Sequence, residues 1–134
     1  MTLAEQETRL VLDDLTRLFG RDHAFTQDVR NNLALILLNQ HKHEEAERMH
    51  RELLAIRLQA TPYDPISVAA SHANIAFCLE PQGKRTEALE FAKKAEALFH
   101  ESVGDSHPDA TAVRKQRIRL EAALNPATAV PTPD

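Results

Sequence analysis

Three kinds of side chain in this 134-residue sequence could do chemistry: seven histidines, a single cysteine and one basic run. His43, Glu47 and His50 fall at i, i+4 and i+7, one face of a helix, and His41 lies just before them. Three or four such groups could hold Zn²⁺. The HExxH order of a metalloprotease is absent, because Glu44-Glu45 is followed by Ala46-Glu47. The cluster reads better as surface histidines on an acidic helix, so no metal and no cofactor are expected. Cys78 sits among Ala76, Phe77 and Leu79 and reads as a small packed hydrophobe rather than a nucleophile. Three glycines cannot build a nucleophile elbow, a P-loop or a dinucleotide fingerprint. The adjacent acids Asp13-Asp14 and Glu44-Glu45 do not face each other on a helix and read as solvated surface. The chain is not expected to be an enzyme.

The basic run "RKQRIR" (114–119) spreads Arg114, Lys115, Arg117 and Arg119 over several helix faces, but Lys115 and Arg119 are four apart and share one. They could form a subsite for an acidic peptide or a phosphate. The competing reading is a polar cap on the end of a helical array.

These side chains need elements to position them. The length suits one small domain, and a compact chain of this size buries roughly two-thirds of its unfolded surface. Few glycines, no strand-like alternation and abundant Ala, Leu, Glu and Arg point to an all-helical chain. A net charge of −4 and few aromatic residues argue against nucleic acid and against a membrane surface as partners. No apolar run approaches the ~20 residues of a membrane span. "MTLAEQETR" does not read as a secretory signal. The lone Cys78 suits a reducing compartment, so a cytoplasmic location is expected.

An interval of 42 residues runs through the chain. It relates Asn32-Leu33-Ala34 to Asn74-Ile75-Ala76, Glu45-Ala46 to Glu87-Ala88, Ala55 to Ala97, and Ala4 to Ala46. Twice the interval relates Gly20 to Gly104, and Asp22, Asp64 and Ser106 form a ladder of expected helix caps. Each period reads as a cap, an apolar helix, a polar break ("NQHKH", "PQGKR"), a second amphipathic helix and a loop. Helices are predicted near 2–18, 24–40, 43–59, 65–80, 84–102 and 107–124. Pro81 should end the fourth early or kink it. "NPATAVPTPD" (125–134), with three prolines, is expected to be a disordered tail following a repeat domain over 1–124.

"RNNLALILLNQHKHEEAERMHRELLAI" resembles the tetratricopeptide repeat, in its 42-residue kinesin-light-chain variety. "HANIAFCLEPQGKRTEALEFAKKAEAL" is a looser match, and "GDSHPDATAVRKQRIRLEAAL" looks like the start of a further unit. "TLAEQETRLVLDDLTRLFGRDH" resembles the second helix of a preceding one. The resemblance implies a short right-handed solenoid of about six antiparallel helices: half a repeat, two whole repeats, half a repeat. It also implies a non-catalytic interaction module, a scaffold that holds a peptide or protein segment in a concave groove lined by the first helix of each pair. An oligomerising or structural piece of a larger signalling assembly, with the last helix only a cap, is the alternative.

By that resemblance the groove positions are Asp28, Asn31, Asn32, Leu35 and Asn39, then Ala70, Ala73, Asn74, Phe77 and Glu80, with Lys115, Gln116 and Arg119 extending the row. An asparagine amide offers a donor and an acceptor together, which suits a peptide unit. Asn32 and Asn74 are expected in one concave surface with Phe77 beside them, and Lys115 and Arg119 would favour an acidic ligand. Finally, Leu3, Leu10, Val11, Leu15 and Leu18 make a broad apolar face on the first helix. The next helix pair can cover only one side of it, so a homodimer, or docking to another chain, is expected through residues 3–19.

Overall fold

A helix starts where something accepts hydrogen bonds from its first N–H groups, and that rule sets most boundaries here. The computed structural model describes residues 1–125. Thr2 accepts from the Glu5 amide at 3.2 Å and opens α1 (Leu3–Phe19). His23 Nδ1 accepts from the Phe25 amide at 3.1 Å and opens α2 (Ala24–Asn39). The turn at residues 40–42 leads into α3 (His43–Gln59). Asp64 accepts from the Ile66 amide at 3.1 Å, and Pro65 occupies the first turn of α4 (Pro65–Leu79). α5 spans Arg85–Val103. His107 Nδ1 accepts from the Asp109 amide at 3.2 Å and opens α6 (Pro108–Leu124).

Two expected caps are thereby corrected. Asp22 and Ser106 stand one residue too early, and the imidazoles of His23 and His107 take the role. Asp22 instead lends its backbone carbonyl to the Gln27 side chain at 2.8 Å. The expected interruption at Pro81 is present: α4 stops at Leu79 and a short 3₁₀ turn, Glu80–Gln82, carries the chain round. The proposed tail lies outside the described residues apart from Asn125.

Consecutive helices pack on one another in order, α1 to α6, and the described residues contain no strand. The first helices of the repeats are α2, α4 and α6; the second helices are α1, α3 and α5. Side chains at matching registers reproduce the 42-residue interval. Arg9 binds Glu5 on its own helix at 3.0 Å and Glu45 on α3 at 2.6 Å. Arg51 binds Glu47 at 2.8 Å and Glu87 on α5 at 2.6 Å. α1 therefore stands to α3 as α3 stands to α5, and is a second-type helix.

Small residues let each pair close tightly. Ala34 and Ala46 are fully buried between α2 and α3, as Ala76 and Ala88 are between α4 and α5. Leu33, Leu37, Leu53, Ile75, Leu79 and Phe99 are among the larger side chains buried in the core. Each such side chain contributes on the order of 1.5–3 kcal/mol through burial. Cys78 is buried too, and burial, with Glu47 nearby, pushes its thiol up to about 12, so it stays protonated. No described helix is long and apolar enough to cross a membrane.

Candidate functional site

The first helices α2, α4 and α6 contribute to one surface. A cleft of about 290 Å³ opens in it. α2 supplies Asn31 and Leu35; α4 supplies Ala70, Ala73, Asn74 and Phe77; α6 supplies Asp109, Ala112 and Val113; Phe99 of α5 reaches in from behind. Alanines at 70, 73 and 112 leave the space that larger side chains would close. The walls are apolar, with Leu35 and Phe77 partly exposed. Two amides, Asn31 and Asn74, and one carboxylate, Asp109, are the polar groups among these lining residues. Such a cleft suits an aliphatic or aromatic side chain whose backbone meets the amides.

Of the predicted positions, the fold brings Asn31, Leu35, Asn74 and Phe77 together in this cleft, with Ala70 and Ala73. Asn32, Asn39, Lys115 and Arg119 lie outside its lining. Asn32 holds the register of Asn74, but Asn74 faces back toward a preceding first helix, α2. Among the described residues no first helix precedes α2, so Asn32 is exposed instead. Asn39 is exposed as well. Gln116, at the same register on α6, is fully buried.

The basic side chains of α6 are mostly committed within the chain. Arg119 makes two 2.8 Å bonds to Glu80 and holds that carboxyl below its usual range. Arg117 pairs with Glu96 and with Glu121 at 3.2 Å, and Arg114 donates to the Asp105 carbonyl at 2.8 Å. Lys115 is exposed.

The histidine face splits. Glu47 accepts from Arg51 at 2.8 Å and from Gln82 at 2.9 Å, whereas His50 is fully buried with neither ring nitrogen hydrogen-bonded. His50 is therefore a core residue, which corrects its expected place at the surface; the apolar side of α3 wraps further than the i, i+4, i+7 pattern suggested. The described residues hold no group of three or more possible metal ligands.

Sequence reasoning missed Phe99, Asp109, Ala112 and Val113. The 42-residue interval from Ala70 could have found Ala112. Phe99 had no such signal, because it comes from a second helix and reaches the cleft only through packing.

Residues 26–62 match the model of a tetratricopeptide repeat family. No curated protein matches the chain in sequence. Among solved structures, it is similar to nearly identical TPR-like repeats of a Podosopora anserina protein assigned as a kinesin light chain, with 20% identity and a TM-score of 0.79. A point variant of those repeats gives 19% and 0.81. Both superpositions cover 90% of this chain and 57% of the other. BtubC (BKLC) from P. vanneervenii aligns at 20% identity and a TM-score of 0.69, over 98% of this chain and 59% of its own. The chain thus spans less than two-thirds of each of these structures. Tetratricopeptide repeats are in general protein-interaction scaffolds. Residues 26–62 carry such a repeat in sequence, and the whole described chain folds as the tetratricopeptide-type helical solenoid of kinesin light chain repeats.

Proposed function

We propose that this chain is a non-catalytic interaction module that holds an extended peptide or protein segment in the cleft between α2, α4 and α6. One observation carries the reading. The amides of Asn31 and Asn74 flank an apolar hollow walled by Leu35 and Phe77, in the surface where the repeats line up. A bound segment would place an apolar side chain between Leu35 and Phe77 and exchange backbone hydrogen bonds with the two amides. The acidic preference expected from α6 now rests on Lys115 alone, because Arg119 is neutralised by Glu80 and the charge lining the cleft is Asp109. An apolar segment, rather than an acidic one, is the ligand that these walls fit. The ion pairs of Arg117 and Arg119 favour a capping role for α6. The lone thiol of Cys78 is compatible with a cytoplasmic setting.

Peptides selected from a random library on the intact chain provide the test. Asn74→Ala should weaken them by about 1 kcal/mol, roughly fivefold, the usual value of a lost hydrogen bond. Phe77→Asp should abolish binding. Equal affinity for a variant carrying both Asn31→Ala and Asn74→Ala would place the site elsewhere.

A further inference from the structure

A second hollow, of about 340 Å³, lies between α1, α2 and α3 and shares no lining residue with the cleft. Its apolar lining is Leu12, Leu33 and Met49, all buried. Arg9 of α1 and Arg30 of α2 stand beside them.

The corresponding place 42 residues on shows which chemistry suits such a hollow. The interval carries Arg9, Leu12, Arg30, Leu33 and Met49 to Arg51, Leu54, His72, Ile75 and Phe91. There an aromatic ring is held among cations. The Arg51 guanidinium lies 5.0 Å from the Phe91 ring centroid, the Lys94 ammonium 5.5 Å and the His72 ring 5.6 Å. Phe91 and Leu54 pack against the core cluster that contains Ile75. Between α1, α2 and α3 the chain keeps the arginine and the aliphatic neighbours but has a methionine in place of the ring. We propose that this hollow binds an aromatic side chain projected by a partner protein, held as the chain holds its own Phe91.

The side chains present fit a ring. Arg9 is bonded to Glu5 and Glu45 as Arg51 is to Glu47 and Glu87, so such ion pairs leave a guanidinium able to meet a ring face. Arg30 donates to Glu52 at 2.8 Å through one terminal nitrogen, while its Nε is buried with no hydrogen-bond partner. An N–H without an oxygen to meet can donate to the face of a ring. The Met49 thioether adapts its shape and attracts aromatic edges. Asp13, Glu45 and Glu52 balance Arg9, Arg30 and Arg48 in the lining, so the hollow selects a neutral ring rather than an anion.

Methyl NMR of the full chain provides the test, because its two methionines are Met49 in the hollow and the exposed Met1, an internal control. The probe is N-acetyl-phenylalanine amide. Its ring current should move the Met49 methyl upfield, saturably, and leave Met1 in place. The cyclohexylalanine analogue, similar in size but without a π face, should compete roughly two- to fivefold less well. Met49→Phe, which copies Phe91, should no longer bind the probe, as read from the Leu12 and Leu33 methyls, whereas Met49→Leu should still bind. Phe77→Asp, which should abolish binding in the cleft, should leave the Met49 shift unchanged, so the two sites fail separately. A Met49 methyl that stays in place up to the solubility limit of the probe overturns the proposal. Equal competition by the cyclohexyl analogue overturns it by showing a merely apolar hollow. Undiminished binding to Met49→Phe, or loss of the Met49 shift in Phe77→Asp, overturns it by placing the ring elsewhere.

Discussion

Between α2 and α3 the chain buries Leu33, Leu37, Met49, Leu53 and Ile56; between α4 and α5 it buries Ile75 and Leu79 against Ala88, Ala92 and Ala95, with Phe99 at the far end. The registers correspond, but the bulk does not. His50 stands where the second pair has Ala92, and Leu53 where it has Ala95. Arg57, which donates to the Ser67 carbonyl at 3.0 Å and to Ser71 Oγ at 2.7 Å, stands where it has Phe99. The first pair puts volume in the middle of its second helix and a polar anchor at the end; the second pair does the reverse. A solenoid layer tolerates this exchange because packing requires total volume at low strain rather than particular residues. The family model covers only the first pair, although both have the same helical plan.

The largest expected effect is at Phe99. Phe99→Ala should lower the unfolding free energy by about 3–5 kcal/mol, since the alanine-rich helix α5 has little else to fill the space. Arg57→Ala, at the same register of the first pair, should cost about 1–3 kcal/mol through its lost hydrogen bonds. Urea midpoints compare the two, and equal losses would remove the asymmetry.

His50, in the first pair, gives the next largest effect. Burial, with a smaller contribution from Arg57, pushes its imidazole down to about 4. The unfolded chain therefore binds a proton between pH 6.5 and 4 that the folded chain resists, and stability falls as pH falls through that window. From pH 7 to pH 5 the loss should be about 2 kcal/mol. His50→Ala, which copies Ala92, should flatten the slope without removing it, because burial lowers the pKa of His72 as well. An unchanged slope in the variant would show that His50 titrates normally.

Smaller effects come from the reversals. His41 and Gly83 hold the same register, with φ of 63° and 77°, in the left-handed region that side chains other than glycine adopt at a cost. Gly83→Ala should destabilise by about 1 kcal/mol, while His41→Gly should stabilise by less than about 1 kcal/mol, offset by the freer unfolded chain. Thermal midpoints moving the same way for both would contradict the shared geometry. The ion-pair ladder is weakest. Glu45→Gln and Glu87→Gln should each cost roughly 0.2–1 kcal/mol, less in high salt, because these pairs are partly exposed.

Helix content, the 42-residue period, the order of first and second helices and the break at Pro81 were legible in the residues themselves. Apolar spacing, Pro and Gly act within a few residues of where they stand, so a linear reading captures them. The cap positions failed by one residue at His23 and His107, since an imidazole nitrogen can accept from the backbone as well as a carboxylate or hydroxyl. What each register faces was decided by the tertiary structure. Asn32 and Asn74 are the same letter in the same repeat position, yet among the described residues only Asn74 has a preceding first helix with which to form a cleft. His50 became core and Phe99 reached the cleft for a similar reason: a helix has several faces, and which of them is dry depends on neighbours that its own sequence does not contain.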